Sequence, residues 1–341
     1  MRILITGGVG FIGCNLAEAC IQAGHEVTIY DDLSRRGSEA NLAWLRASFG
    51  NGAFHFVQAD VREIGALLKA TRGQQAVCHL AAQTAVTTSV SDPRTDFEIN
   101  ALGTFNALEA ARQTGDDPIF VFSSTNKVYG GMDDARVVEQ ETRYALTDYP
   151  WGVPETRGLD FHSPYGCSKG TADQYVRDYK RIYGLRTVVF RQSCIYGQRQ
   201  MGVEDQGWVA WFVIAAVTGK PITIYGDGKQ VRDLLHVDDL VRAFLMAMER
   251  IDVTAGQVFN IGGGPENTLS IWREFGPLLA ELVGHPVVPA RFGDWRPGDQ
   301  PIFVSDVRAA SRKFGWSPEI KVRDGIARLV DWVRANQGIF V

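Results

Sequence analysis

The opening thirteen residues, MRILITGGVGFIG, constrain the fold of this chain more than any other stretch. An apolar run leads into Thr6-Gly7-Gly8, and Gly10 and Gly13 follow as a helix-like segment, Phe11 to Ala23, begins. Strand, glycine turn and helix in that order leave backbone N–H groups at a helix N-terminus, here around Phe11 and Ile12, aimed at an anion. Gly7 suits the tight turn, Gly10 lets the backbone approach a pyrophosphate, and Gly13 lets the helix pack closely on the strand. The spacing is Gly-x-x-Gly-x-x-Gly, and a unit of this kind belongs in a parallel α/β sheet.

The totals narrow the partners. A net charge of −4 over 341 residues offers no basic field for nucleic acid or an anionic membrane. No run approaches the roughly 18 apolar residues of a membrane span, and no basic-then-apolar leader precedes the first strand, so a cytoplasmic enzyme is expected. The five cysteines, Cys14, Cys20, Cys78, Cys167 and Cys194, never form a Cys-x-x-Cys pair, and the six histidines show no ligand spacing. Reduced, mostly buried thiols and no metal are expected.

Further strands each end in a residue fit for a ligand. Glu26–Tyr30 ends at Asp31-Asp32, about twenty residues beyond the glycines, where an acid grips the ribose hydroxyls of an adenosine. Ser34 and Arg35 follow; Arg35 and Arg36 suit a 2′-phosphate, but the two acids ahead of them repel it, which favours NAD over NADP. Phe54–Ala59 ends at Asp60-Val61, with Asp60 placed for the adenine amino group. Ala76–Leu80 ends at Ala81-Ala82-Gln83, small enough for a cofactor to pass. A long helix from Asp92 to Thr114 carries an apolar stripe interrupted by Asn100. Pro118–Phe122 then runs into Ser123-Ser124-Thr125-Asn126-Lys127, three hydroxyls at a strand end.

His162-Ser163-Pro164-Tyr165-Gly166-Cys167-Ser168-Lys169 opens the next helix, with Tyr165 and Lys169 four residues apart on one face. A tyrosine is a weak base at its usual pKa near ~10, and a neighbouring ammonium favours its phenolate. Beyond the strand Arg186–Ser193 the strand–helix alternation loosens. Arg232–Asp239 is expected to cap a helix reaching Arg250, and helices are expected over 269–283, 305–314 and 322–336.

Taken in register, Thr6-Gly7-Gly8-x-Gly10-Phe11-Ile12-Gly13, Asp31, Asp60, the Ser-Ser-Thr strand end, Tyr165-x-x-x-Lys169 and Arg232-Asp233 resemble the extended short-chain dehydrogenase/reductase family of nucleotide-sugar enzymes over the full length. The resemblance implies an α/β fold: a Rossmann-type, doubly wound parallel sheet of about seven strands with a smaller C-terminal α/β substrate domain. It places NAD on residues 1–190 plus 233–262 and the nucleotide sugar on 191–232 plus 263–341. Subunits are expected to pair as a homodimer or homotetramer through helices near 94–114 and 166–183.

By the same resemblance Thr125, Tyr165 and Lys169 are catalytic. Gly7, Gly10, Phe11, Ile12, Gly13, Asp31, Asp32, Ser34, Arg35, Asp60, Val61, Leu80, Ala81, Ala82, Gln83, Asn100 and Ser123 hold the cofactor together with Tyr165 and Lys169. Thr88, Asn126, Lys127, His162, Gln192, Ser193, Val209 and Tyr225 face the sugar nucleotide, Arg232 and Arg296 clamp its diphosphate, and Asp299 holds a ribose hydroxyl. Residues 123–130, 162–170 and 202–212 are similar to a group within the family that inverts carbon 2 of a CDP-linked deoxyhexose. The family's 4,6-dehydratases carry Asp-Glu after the strand-end threonine, where this chain has Asn126-Lys127. Elimination needs that acid, so epimerisation is expected. The alternatives are a carbon-4 epimerase of a UDP-sugar, an NADP-linked net oxidoreductase, and a non-catalytic cofactor-binding sensor.

Overall fold

The computed structural model describes residues 1–296 and 299–340; Pro297 and Gly298, expected in the loop between Arg296 and Asp299, lie outside the described residues. Seven parallel strands form the main sheet: β1 (Arg2–Thr6), β2 (Glu26–Asp31), β3 (Phe54–Gln58), β4 (Ala76–His79), β5 (Ile119–Thr125), β6 (Thr187–Gln192) and β7 (Gln257–Ile261). Their order is β7-β6-β5-β4-β1-β2-β3, the doubly wound arrangement expected. From β1 the chain runs outward through β2 to β3 and then crosses back to β4 on the other side of β1, so a crevice opens at the carboxyl ends beside β1.

The strands read as near-continuous apolar runs because both faces are covered. Ile3 and Ile5 of β1 join Phe190, Phe244, Phe259 and Trp316 on one face, while Leu4 joins Val77, Phe120, Phe122 and Val176 on the other. That is the alternation of successive strand residues between faces. The helices that matter for the site are α1 (Phe11–Gln22), α2 (Gly103–Gln113), α3 (Ser163–Tyr183), α4 (Trp208–Thr218), α5 (Val237–Glu249), α6 (Arg308–Phe314) and α7 (Val322–Ala335). A separate cluster gathers α4, α7, Tyr196, Trp272 and Phe275. Ala310 and Phe314 of α6, and Trp316 beyond it, pack with the first sheet face, although they fall within the 263–341 segment.

Three segments differ from expectation. The helix expected over 269–283 begins only at Phe275, behind a strand at Thr268–Ser270. Val231–His236 is a strand, paired with Cys194–Tyr196, Ile302–Phe303 and Thr268–Ser270, and only His236 caps α5, accepting from Asp238 N at 3.3 Å. All six strand residues are buried, so no alternation betrays it. The helix expected over Asp92–Thr114 is α-helical at Pro93–Phe97, makes a π-turn at Glu98–Leu102, and resumes as α2. Asn100, the polar residue that interrupts the stripe, sits inside the π-turn.

The outer faces of this helical run and of α3 leave Phe97, Leu102, Phe105, Tyr175, Ile182 and Tyr183 exposed, Ile182 by 66%. Among the described residues no helix is long and apolar enough to cross a membrane, and no group of His, Cys, Asp or Glu is arranged to hold a metal ion. Cys14, Cys20 and Cys78 are buried free thiols, and Cys167 is exposed.

Candidate active site

The glycine turn is shaped by contacts that exclude side chains. Gly7 has φ 67° and donates its N–H to Tyr30 O at 2.8 Å; a Cβ here would stand 2.7 Å from Ala81 N. A Cβ on Gly13 would lie 2.1 Å from Gly7 O, so α1 seats against the turn only through glycine. A Cβ on Gly10 would meet only Gly7 O, at 3.1 Å, and its other side faces the cleft. Gly10, at the N-cap of α1, has no side chain with which to cap it, so the first N–H groups of the helix stay available to an anion.

One cleft of about 390 Å³ joins this turn to the strand ends. It brings together Gly7, Gly10, Phe11, Ile12, Gly13, Asp31, Asp32, Ser34, Arg35, Asp60, Val61, Leu80, Ala81, Ala82 and Ser123 of the expected cofactor residues, with Thr125, Tyr165 and Lys169. Asn126, Lys127, Gln192 and Ser193 line its far end. Asp31 accepts from Val9 N at 3.2 Å and Leu33 N at 2.9 Å, and burial pushes its carboxyl pKa up. Asp32 instead holds Ser34, through N at 3.0 Å and Oγ at 2.7 Å. Asp60 is gripped by Arg62, whose Nη2 lies 2.6 Å away and whose bonds hold the Asp60 carboxyl below its usual range. Any ligand donor reaching Asp60 would share its carboxylate with Arg62.

Gln83 and Asn100 lie outside this lining. Gln83 N donates to Asn100 Oδ1 at 2.9 Å, and Asn100 Nδ2 reaches Gln83 O, Asp96 Oδ1 and Ser168 Oγ at 3.0, 3.0 and 3.1 Å. These amides fix the β4 edge to the π-turn and to α3. Arg35 crosses the cleft, donating to Thr84 Oγ1 at 2.6 Å and to Gln206 Oε1. Its charge acts on Tyr165 and on Asp31 across the cleft.

The reactive groups meet where β5 ends against α3. Tyr165 is half-buried; its partial withdrawal from water raises its phenol pKa, while a hydrogen bond with Thr125 and the charge of Arg35 pull it down, and the net direction is up. Of the charged groups around it, Arg35 favours the phenolate and Asp96 opposes it. Lys169 Nζ donates to Ser123 O at 2.6 Å and lies 4.3 Å from the Phe122 ring centroid. Burial lowers its pKa to about 7 against the opposing pull of Asp173 and Asp96. An amine poised there exchanges a proton near neutral pH.

Tyr225, Arg232, Arg296 and Asp299, expected to face the sugar nucleotide, do not line the cleft, although Arg232 stands close enough to act on the charge of Lys127. Burial and the neighbouring Arg232 lower the Lys127 pKa to about 8, with Asp299 opposing. Arg232 Nη2 meets Asp299 Oδ1 at 2.5 Å, joining two residues expected to serve phosphate and ribose separately. Arg296 stands 4.0 Å over the Tyr225 ring, donates to Glu204 O at 2.8 Å and pairs with Asp205 at 3.2 Å. His162 pairs with Asp160 at 2.9 Å away from the cleft lining, Thr88 is exposed on Val86–Ser91, and Val209 is buried in α4. The segment from Arg199 to Met201 and from Gln206 to Trp208 lines the cleft, though apart from its resemblance it carries no motif that marks it beforehand. Arg199 is fixed over Trp44 at 3.4 Å and to Asn15 at 2.7 Å.

Comparison with known proteins agrees with this geometry. The model of the NAD dependent epimerase/dehydratase family matches residues 3–262. The chain belongs to that family. It is 45% identical over 97% of its length, and 99% of the other's, to CDP-paratose 2-epimerase of Salmonella typhi. It is 33% identical to UDP-glucose 4-epimerase of Mycolicibacterium smegmatis, over 98% of this chain and 99% of that one. Among solved structures, the UDP-glucose 4-epimerase of Thermotoga maritima superposes with TM-score 0.84 at 32% identity, covering 99% of this chain and 100% of that one. The dTDP-glucose 4,6-dehydratase of Streptomyces venezuelae, solved with NAD bound, does so with TM-score 0.85 at 30% identity, covering 99% and 98%. NAD is the cofactor of the family, and the side-chain-free cradle at Gly10 and the uncapped start of α1 fit its pyrophosphate.

Proposed function

We propose that this enzyme inverts carbon 2 of a CDP-linked deoxyhexose, converting CDP-paratose to CDP-tyvelose. The observation that carries the reading is the 45% identity, over nearly both full lengths, to an enzyme named for that reaction. The site chemistry is consistent with epimerisation. Among the described residues lining the cleft the acids are Asp31, Asp32 and Asp60, all at the glycine-turn end, and Asn126-Lys127 follow Thr125. Dehydration requires an acid beside the sugar, and none of these is placed there.

In this mechanism Thr125 holds the carbon-2 hydroxyl and the Tyr165 phenolate takes its proton. NAD, when bound, supplies the acceptor and then the donor of the hydride. Lys169 and Arg35 offset the negative charge of the phenolate as it forms. The sugar turns within the pocket at the level of the ketone, and Tyr165 returns the proton after the opposite face has been presented. Arg232 and Arg296 hold the diphosphate meanwhile, guanidinium forks suiting phosphate oxygens. Asn126, Lys127, Gln192 and Ser193 meet the sugar. The apolar faces of Phe105 and Tyr175, whose rings lie 5.9 Å apart, and of Ile182 serve pairing of two copies.

A carbon-4 epimerase acting on a UDP-sugar is the second reading, favoured by the full-length likeness to the Thermotoga maritima enzyme. An NADP-linked oxidoreductase has less support, because Arg35 is engaged with Thr84 and Gln206 across the cleft. The test is to denature the purified protein, identify the released cofactor by mass, and offer CDP-paratose and UDP-glucose under NMR. Release of NAD and inversion at carbon 2 of the first substrate alone is expected. Inversion at carbon 4 of UDP-glucose alone overturns the reading in favour of the second.

A further inference from the structure

Behind the reactive groups lies an ion pair that the mechanism above does not use. Asp173 of α3 is 0% exposed and Arg191 of β6 is 2% exposed. They meet in a fork, Nε to Oδ2 at 2.9 Å and Nη2 to Oδ1 at 3.0 Å. Ser124 Oγ donates to Asp173 Oδ2 at 2.8 Å. Arg191 Nη1 donates to Tyr129 OH at 3.1 Å, and that hydroxyl donates to Asn260 Oδ1 at 2.8 Å.

The placement follows from register. Ser124, Arg191 and Asn260 stand side by side across β5, β6 and β7, and the next row is Thr125, Gln192 and Ile261. The polar row therefore lies one residue back along the strands from Thr125 and Gln192, which line the cleft. On the helix, Tyr165, Lys169 and Asp173 succeed one another at intervals of four and share a face. One carboxylate thus ties the helix that carries Tyr165 and Lys169 to the strand that carries Thr125. Tyr129, on the turn Asn126–Tyr129 that also carries Asn126 and Lys127, is held by the same arginine.

We propose that Asp173 and Arg191 are positioning residues that set the register of α3 against β5 and β6, and so hold Tyr165 at bonding distance from Thr125. A buried ion pair is a poor source of stability, since well-packed apolar residues of similar volume serve as well, but this forked pair, with two parallel contacts, fits one relative placement of the helix and strand it joins. The inference rests on the Tyr165–Thr125–Lys169 reading above.

The test uses the full chain with its cofactor and four variants. Ser124→Ala removes only the hydroxyl linking β5 to the pair. The double variant Asp173→Leu with Arg191→Met replaces the pair by apolar residues, and Asp173→Glu keeps the charge. Tyr165→Phe is the reference for the reading itself. With thermal melts near wild type, kcat should fall about 10- to 100-fold in the double variant and about 3- to 10-fold in Ser124→Ala, with KM within about threefold, because small misplacements act on the chemical step. Asp173→Glu should regain part of the kcat lost in the double variant.

The pH profile gives a second readout. Lys169 faces Asp173 on its own helix, Asp96 on Pro93–Phe97 and His79 on β4. Loss of the Asp173 carboxylate removes the stronger of the two acidic influences that favour its charged form, so the alkaline limb of kcat moves to lower pH in the double variant. Wild-type kcat and pH profile in the folded double variant overturn the proposal. Should that variant not fold, Ser124→Ala decides alone, and unchanged kcat there overturns it. If Tyr165→Phe turns over normally, the reading of the reactive groups has failed instead.

Discussion

His79 offers a measurement that probes the cofactor edge without substrate. It is fully buried in β4, with Nδ1 2.8 Å from Thr6 Oγ1 and Nε2 3.1 Å from Thr104 Oγ1. Thr6 Oγ1 accepts from Leu80 N at 3.3 Å and from Ala81 N at 3.4 Å, which fills both lone pairs, and Thr104 donates to Asn100 O at 2.6 Å, so each hydroxyl has its direction fixed. Thr6 donates to Nδ1, and the ring carries its proton on Nε2. A second proton on Nδ1 would confront the Thr6 hydroxyl donor, break this chain, and loosen the residue that precedes Gly7. Burial, helped by the Lys169 charge, lowers the His79 pKa to about 3 from an ordinary 6.5.

The unfolded chain therefore binds the extra proton between pH 6.5 and 3, and stability falls as pH falls through that window. At pH 4.5, two units below the ordinary value, the loss attributable to His79 is about 3 kcal/mol. Urea melts at pH 7.5 and 4.5, followed by tryptophan fluorescence, should show His79→Gln less stable than wild type at pH 7.5 yet losing about 3 kcal/mol less on acidification. The buried acids Asp31, Asp96 and Asp233 titrate in both proteins and cancel in the difference. Equal acid sensitivity in the two proteins would refute the argument.

Two further outcomes are expected. Gly13→Ala puts a methyl 2.1 Å from Gly7 O, which forces α1 off the turn; a lower melting temperature, by roughly 1–3 kcal/mol or more of overpacking, and protein purified without its cofactor are the readouts. Phe105→Glu with Tyr175→Glu places charges on the exposed apolar face shared by α2 and α3; sedimentation is expected to give a dimer or tetramer for the wild-type chain and a monomer for this variant.

The parts of the site legible in the sequence are those whose chemistry is local. The glycine turn, Asp31 at the end of β2 and Ala81 beyond β4 follow from strand-end position, and Tyr165 and Lys169 from helical spacing; all of them line one cleft. What stayed hidden depends on pairings between distant segments. Nothing near Arg35 announces that it reaches Gln206, nothing in Asn100 that its amide is spent on Asp96 and Ser168, and nothing in Arg232 that Asp299 is its partner. The strand Val231–His236 was invisible for the opposite reason, because complete burial erases the alternation by which strands are read.

The pairing of the two arginines proposed for the diphosphate has a physical consequence. Arg232, with its side chain 10% exposed, holds Asp299, and Arg296 holds Asp205. A guanidinium this deep without a partner would be strongly destabilising, so the carboxylates keep the free site in order. An incoming diphosphate then exchanges one anion for another at each arginine and recovers only the difference between phosphate and carboxylate contacts. Such exchange gives orientation at modest net affinity, because each guanidinium trades one carboxylate contact for phosphate contacts while the charge balance hardly changes. The reactive groups work in the opposite regime: Lys169, Tyr165 and Thr125 are held by the buried contacts of α3 and β5, whether or not an anion has arrived. Loose exchange at one end and fixed register at the other is the combination that lets a sugar turn over between two proton transfers at the same tyrosine while its nucleotide stays in place.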